Sequence, residues 1–268
     1  MKAKVELTPI KMKPIDEFLT TVATLRGPNG CPWDKEQTHE SLKRYLIEEV
    51  YETIEAIESK DPKSLMEELG DLLLQIALHA QIASESKDFT FDDIAKNINS
   101  KMQVRHPHVF SDTKVKNKEE VIVNWEKIKK EEKPHRKEIF DGIPISLPAL
   151  LKGLKVSKKV AREGFDWKEN QSILKAFESE MEELKTAIIL SKQDDIEDEL
   201  GDSLFMIVNI ARWFKLDPEE LLNKSIKKFI TRYKKVKEFI ESSNKNTKDM
   251  TEFELNDLWE KAKKKEKI

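Results

Sequence analysis

A chain of 268 residues has room for two domains of about 130 residues, each able to bury a core of its own. Charged residues make up 37% of it against 7 glycines and 10 prolines, and Glu/Lys/Leu-rich periodic stretches dominate, which favours helices and leaves little strand-like alternation. The 48 basic and 51 acidic residues are mixed and sum to -3, so no global field marks a nucleic-acid or membrane surface; the single cysteine excludes an internal disulfide and a cysteine-rich zinc site.

The first segment, "MKAKVELTPIKMKPIDEFL", lacks an apolar signal core, and no stretch reaches the 18 or so uninterrupted apolar residues of a membrane span, so a cytoplasmic location is expected. "CPWDKEQ" then places Trp33 in a loop leading into a helix, and Cys31, with no histidine beside it, reads as a small loop or buried thiol. A helix follows with an apolar stripe at Leu46, Ile47, Val50, Ile54 and Ile57. Glu49 and Glu52 lie one turn apart on one face, and the helical wheel puts them along the edge of that stripe, bordering the core. "SKDPKS" predicts a stop and a restart.

The next helix is apolar nearly all round, through Leu69, Leu72, Leu73, Leu74, Ile76, Ala77, Leu78 and Ala80. Glu68 and Asp71, again three apart, therefore have little solvent to escape to and are expected to be partly buried. Gly70 between them costs about 1 kcal/mol relative to Ala, and a close approach of a helix or a ligand would account for it. Basic helices come next, with Lys101 and Arg105 four apart on one face and Lys129 in "WEKIKKEEK"; His106 and His108 of "RHPHVF" read as shaping a loop. Pro134, Gly142, Pro144 and Pro148 then break the helical period, which predicts a linker over 134–148 between domains at 1–133 and 149–268.

The second half repeats the first. Glu49, Glu52, Glu68, Gly70 and Asp71 align with Glu180, Glu183, Glu199, Gly201 and Asp202 at one offset, 180 − 49 = 131. Lys101 and Arg105 align with Lys228 and Arg232, and "WEKIKKEEK" aligns with "WEKAKKKEK", which pairs Lys129 with Lys263. "GFDWKENQ" is a looser counterpart of "CPWDKEQ", with Trp167 for Trp33; both tryptophans are candidates for stacking a nucleobase, the alternative being a plug for the core. The expected fold is therefore all-α, two tandem helical-bundle domains.

Uncompensated carboxylates in an apolar helix shift their pKa values or find a cation, and a metal ion fits these best. Oxygen donors without His or Cys select a hard ion, Mg²⁺ above all, with Mn²⁺ as a substitute. Di-iron bundles place a His three residues after a Glu, which neither copy does. The basic pairs suit phosphate oxygens, so carboxylates, metal and cations together read as a site for a polyphosphate substrate, held through its metal because no Gly-rich phosphate loop is present.

"LIEEVYETIEAI", "EELGDLLLQIALHAQ", "GCPWD", "RHPHVF" and "WEKIKKEE" together resemble the MazG nucleoside triphosphate pyrophosphohydrolases over nearly the whole chain, tandem arrangement included. The family's EExxE then ExxD is matched in the first copy by Glu48, Glu49, Glu52, Glu68 and Asp71. In the second, Ser179 stands in place of the first Glu, while Glu180, Glu183, Glu199 and Asp202 match; Val104 stands where many relatives have another Arg. The resemblance implies an all-α, Mg²⁺-dependent hydrolase that converts nucleoside triphosphates to monophosphates and diphosphate, broad over ribo- and deoxynucleotides in a house-cleaning role, working as a homodimer without nucleic acid or membrane. It also implies that the two quartets hold metal, that Lys101, Arg105 and Lys129 offset developing charge, and that Glu48 supports the site or acts as base. A catalytically silent nucleotide sensor and a helical interaction protein are the alternative classes, separated by turnover and by Mg²⁺-dependent nucleotide binding.

Overall fold

The computed structural model describes residues 13–134, 138–242 and 246–264. The first twelve residues, read above for a signal core, and residues 135–137 of the predicted linker lie outside them. The fold is all-α: among the described residues every regular element is a helix. Contacts divide the chain into units Met1–Glu132 and Lys133–Ile268. The predicted linker is not a free tether, since Lys159 Nζ donates to the Asp141 carbonyl (3.3 Å) within the second unit.

The first unit runs α1 (Pro14–Arg26), α2 (Pro32–Glu36), α3 (Lys43–Ser59), α4 (Pro62–Glu85), α5 (Phe91–Arg105), α6 (Pro107–Phe110) and α7 (Lys118–Glu131). The second repeats the plan with α8 (Ala149–Arg162), α9 (Asn170–Leu190), α10 (Gln193–Trp213), α11 (Pro218–Ser242), a short 3-10 turn and α12 (Glu252–Lys264). In each, an antiparallel hairpin (α3 with α4, α9 with α10) is the centre, and α1 or α8 packs on its second arm. The first arm of the hairpin ends the same way in both units. Lys60 (φ 58°) and Ser191 (φ 54°) end the first arm in the left-handed region, where no intrahelical carbonyl bond can continue. Asp61 then caps α4 by accepting from Lys63 N (3.0 Å), and Pro62 takes the first helical position, where a missing N–H costs nothing.

Val22 of α1, Leu42 of α3, and Ala77 and Leu78 of α4 form the buried core of the first unit, flanked by Phe18, Leu19, Tyr45, Leu74 and Ile82. Arg26 ties the loop after α1 to this core: Nε and Nη2 donate to Glu85 (2.9 and 2.8 Å), and Nη1 donates to the carbonyls of Gln37 (3.1 Å) and Asp34. The second unit makes an analogous clamp with the charges exchanged between segments, Arg212 of α10 forking onto Asp166 of the loop (2.9 and 2.5 Å). Beyond the hairpins, Arg105 lies over Trp125 (5.3 Å) and Arg232 over Trp259 (5.8 Å), so the repeat extends to the basic helices.

One expectation is corrected. The stripe Leu46, Ile47, Val50, Ile54 and Ile57 does not face the core of its own unit; Ile47 and Ile57 are 59% and 56% exposed. The inward face of α3 is Leu42, Glu49, Thr53 and Ala56 instead, spaced seven, four and three apart. Small and polar residues face inward because a closely packed second helix occupies that side, and the bulkier aliphatics are left outside.

Glu85 is held below its ordinary carboxylate value chiefly by the bonds from Arg26. A depressed carboxylate contributes stability that is present above its unfolded value and lost as pH falls through the folded one. Glu85→Gln should therefore lower the unfolding free energy at pH 7, by no more than about 1 kcal/mol because the Glu85 side chain is 40% exposed and screened by solvent, and the gap between variant and parent should close below about pH 4. Denaturant titrations at the two pH values check both the sign and the window.

Candidate metal centre

The inward face of α3 brings Glu49 into the middle of the hairpin, and the facing side of α4 carries Glu68, Asp71, Gln75 and Leu78 at helical spacing. Carboxylate oxygens of Glu49, Glu68 and Asp71 all lie within 4.8 Å of one another, and each residue is half-buried. The second hairpin repeats this with Glu180, Glu199 and Asp202, the last of them exposed. Glu68 and Asp71 are thus partly buried, as the apolar surroundings of their helix predict.

The charges acting on these groups are acidic. Desolvation, then Asp71, Glu52 and Glu68, push the Glu49 carboxyl above its ordinary value. Desolvation, then Glu52, Asp71 and Glu67, do the same to Glu68. Glu180 is raised by desolvation, Asp202 and Glu183, and Glu199 by desolvation, Glu183, Asp198, Asp202 and Glu180. A hard divalent cation fits this donor set. Oxygens bound to one octahedral Mg²⁺ sit about 2.9–4.1 Å apart for Mg–O distances of about 2.0–2.1 Å, so side-chain torsions alone close a cluster of this spread.

Glu52 and Glu183 are exposed and stand at the rim, outside both tight triads. Glu52 remains within hydrogen-bonding reach of Glu49. Ser179, where the first copy has exposed Glu48, donates from Oγ to Glu183 Oε1 (3.0 Å). Gly70 and Gly201 are not explained by packing within the chain, because a Cβ at either would meet nothing within 4 Å. Thr53 Oγ1 and Gln75 Oε1, missed by the motif, are buried one turn beyond Glu49 and Asp71 without a hydrogen-bond partner, while the second copy has Leu184 and Met206 there. A polar residue interrupting an apolar face was the available signal.

The basic residues stand on other helices and are engaged there. Arg105 is buried and donates from Nε and Nη2 to Glu132 (3.2 and 2.5 Å); Lys129 pairs with Glu126 (3.8 Å) and Lys263 with Glu260 (2.6 Å). Lys101 and Arg232 are half-buried, and Lys228 is exposed. His106 Nδ1 donates to the Met102 carbonyl (2.7 Å) and the ring meets Trp125 edge-on, a structural role in the turn after α5. Trp33 is no core plug: it is half exposed, edge-on to Tyr45 (5.8 Å). Trp167 is partly buried beside a cavity of about 500 Å³ between α8, its loop and α10.

A model of the MazG nucleotide pyrophosphohydrolase domain matches residues 37–110 and 168–237, two segments starting 168 − 37 = 131 residues apart, the offset of the carboxylates. Over 249 residues the chain is 42% identical to the nucleoside triphosphate pyrophosphohydrolase/pyrophosphatase MazG of Thermotoga maritima, covering 92% of this chain and 95% of that one. It is 38% identical over 262 residues to a nucleoside triphosphate pyrophosphohydrolase of Escherichia coli K12, covering 95% and 99%. It is also 42% identical over 273 residues to the uncharacterized protein YabN of Bacillus subtilis, covering 97% of this chain and 56% of that one.

A raised carboxylate opposes folding above its folded-state pKa and stops doing so as pH falls through it. Glu68→Gln should therefore raise the melting temperature of metal-free protein at pH 7, by a few degrees at most, while shrinking the further rise that millimolar Mg²⁺ gives the parent. The Mg²⁺ rise itself should fade toward pH 5 as the raised carboxyls of Glu49, Glu68, Glu180 and Glu199 take up protons. Calorimetry with chelator and with Mg²⁺ at both pH values reads all three.

Proposed function

The chain belongs to the MazG nucleotide pyrophosphohydrolase family, and from that premise we propose that it hydrolyses nucleoside triphosphates, Mg²⁺-dependently, between the α and β phosphates. The products are nucleoside monophosphate and diphosphate, and the range is broad over ribo- and deoxynucleotides, in a house-cleaning role in the cytoplasm. Among the described residues no helix is long and apolar enough to cross a membrane. The observation that carries the reading is the carboxylate triad repeated on two hairpins, in each of which the acids lack a cation among the charges that shift them.

In this reading Glu49, Glu68 and Asp71, and Glu180, Glu199 and Asp202, hold the ion, with Glu52 and Glu183 joining from the rim. A bound Mg²⁺ supplies Lewis acidity toward water and screens the leaving diphosphate. The chain supplies the rest. Glu48 and Glu52 orient the attacking water and accept its proton, and in the second unit Ser179 does the orienting through Glu183. Arg105 and Lys101 of α5, with Lys129 of α7, bind phosphate oxygens, and Lys228, Arg232 and Lys263 repeat that role. Arg105 spends Nε and Nη2 on Glu132, so phosphate approaches its Nη1 edge.

The outward stripe of α3, with exposed Leu69 and Ile76 on α4, leaves the hairpin apolar on a second side. A second copy related by a two-fold axis would cover it and complete a four-helix bundle, so the working form is a homodimer. Ile47→Asp with Ile54→Asp should then halve the mass seen by light scattering, whereas a parent that is already monomeric would overturn the dimer.

Phosphorus NMR of the products tests the chemistry: monophosphate and diphosphate are expected with Mg²⁺, and nucleoside diphosphate with orthophosphate would sink it. Ca²⁺ should support binding with poor turnover, since its larger and looser coordination sphere does not hold the octahedral arrangement. Glu49→Ala and Glu180→Ala should each remove part of kcat at matched folded concentration. Abolition by the first with no effect of the second would make the second unit non-catalytic.

A further inference from the structure

The two units fill the space between their first helix and their hairpin differently. In the first unit Phe18 and Val22 of α1 pack with Leu74 and Leu78 of α4 in a closed apolar core. The equivalent positions on α8 are Gly153 and Ser157 (153 − 18 = 157 − 22 = 135), and those on α10 are Phe205 and Asn209 (205 − 74 = 209 − 78 = 131). Apolar bulk has been exchanged for a glycine, a hydroxyl and an amide, and the cavity of about 500 Å³ opens at this place. Such an exchange gives up apolar packing, while the polar groups it buries offset their desolvation by bonding to one another and to the Phe205 carbonyl.

The polar groups are held in fixed orientation. Ser157 Oγ donates to Asn209 Oδ1 (2.5 Å) and Asn209 Nδ2 donates to the Phe205 carbonyl (3.0 Å). A side-chain amide has two N–H donors and two lone pairs, so Asn209 keeps one of each unspent on these partners. Arg212, its side chain only 9% exposed, lines the same cavity with a buried Nε that has no hydrogen-bond partner. Its other nitrogens fork onto Asp166, whose Oδ1 also accepts from Trp167 N (2.9 Å), so the loop that sets Trp167 against the cavity is pinned from α10. The result is a slot lined by Trp167, Phe205 and Asn209, whose amide keeps an adjacent donor and acceptor unspent beside two aromatic side chains.

We propose that this cavity is a specificity pocket of the second unit for the nucleobase of the bound nucleotide, read by Asn209 with Ser157 as the residue that orients it. The proposal rests on the hydrolase reading above. Asn209 lies seven residues beyond Asp202, two helical turns or about 10 Å along the same face of α10, a gap for a sugar and the first phosphate to bridge. A flat nitrogen heterocycle matches the slot: its faces stack on aromatic rings, and its edge offers the donor and acceptor that complement an amide. The first unit, with Val22 and Leu78 in place of the polar pair, has no such reader there, so the two units differ in base selectivity.

The test uses the full chain carrying Glu49→Gln and Glu68→Gln, so that the first unit's triad is disabled, in Ca²⁺ to slow turnover. Affinities for four nucleoside triphosphates, the matching free nucleosides and inorganic tripolyphosphate are measured by calorimetry. A spread of about tenfold or more among bases is expected, as for loss of a buried hydrogen bond. It should collapse to about twofold in Ser157→Val/Asn209→Leu, which installs the pair that already packs in the first unit, and narrow about threefold in the milder Ser157→Ala. A flat panel, or a spread that survives the double variant with its melting transition intact, overturns the pocket. Tripolyphosphate binding with a flat base panel would leave the hydrolase reading standing and remove the pocket; selective nucleoside binding without tripolyphosphate binding would do the reverse.

Discussion

Three acidic side chains held at core-facing positions of a helical hairpin are the constraint on which the rest depends. Glu49 takes a place on the inward face of α3 that Leu42, Thr53 and Ala56 share, and Glu68 and Asp71 come to meet it from α4. Carboxylates so placed are partly stripped of water by burial and repel one another, which is why Glu49 and Glu68 are both raised. The hairpin closes because other contacts hold it: α1 packs against the far end of α4, and Arg26 fastens the intervening loop to Glu85. Stability is thus supplied at one end of α4 and spent at the other. A cation between the acids would convert the cost into a binding energy, with side-chain torsions alone closing the cluster around it.

Much of this was legible in the sequence because it is carried by local chemistry. The turn "SKDPKS" reads as a stop and restart, and it is one: Lys60 left-handed, Asp61 capping, Pro62 at the first helical position. Acid pairs three apart on consecutive antiparallel helices must meet if their faces meet. What stayed illegible was which face turns inward. The aliphatic stripe on α3 looked like a core face, yet Ile47, Val50, Ile54 and Ile57 are exposed, because periodicity reports that a face is apolar and not what covers it. The offset of 131 likewise pairs the copies without showing that Val22 and Leu78 in one become Ser157 and Asn209 in the other, since the first helix follows a different register, 135, from its hairpin.

That divergence bears on how a duplicated domain changes. Replacing the acids would destroy the site, and replacing the outward aliphatics would disturb what covers them. The contact between the first helix and the hairpin is the freer place, because it needs only enough burial to hold. In the second unit Leu154, Met206, Val208 and Ala211 still supply a buried apolar surface around the polar pair, so Ser157 and Asn209 are tolerated inside a core that closes without them. The carboxylate triad stays constant while its neighbourhood two turns away is rewritten.

The basic helices follow the opposite logic from the acids. Arg105 is buried with a charge that cannot be shed, and the bonds from Glu132 raise its pKa further. A lone guanidinium in that position would be costly, so the chain provides its own anion, and Trp125 covers the remaining face. The acids are left repelling one another, whereas the arginine is satisfied before any ligand arrives. A phosphate reaching Arg105 would therefore gain less from it than from an unpaired cation. In the proposed site, an anion without a metal would find the arginine already answered by Glu132, whereas a nucleotide carrying its ion would also relieve the repulsion among the acids.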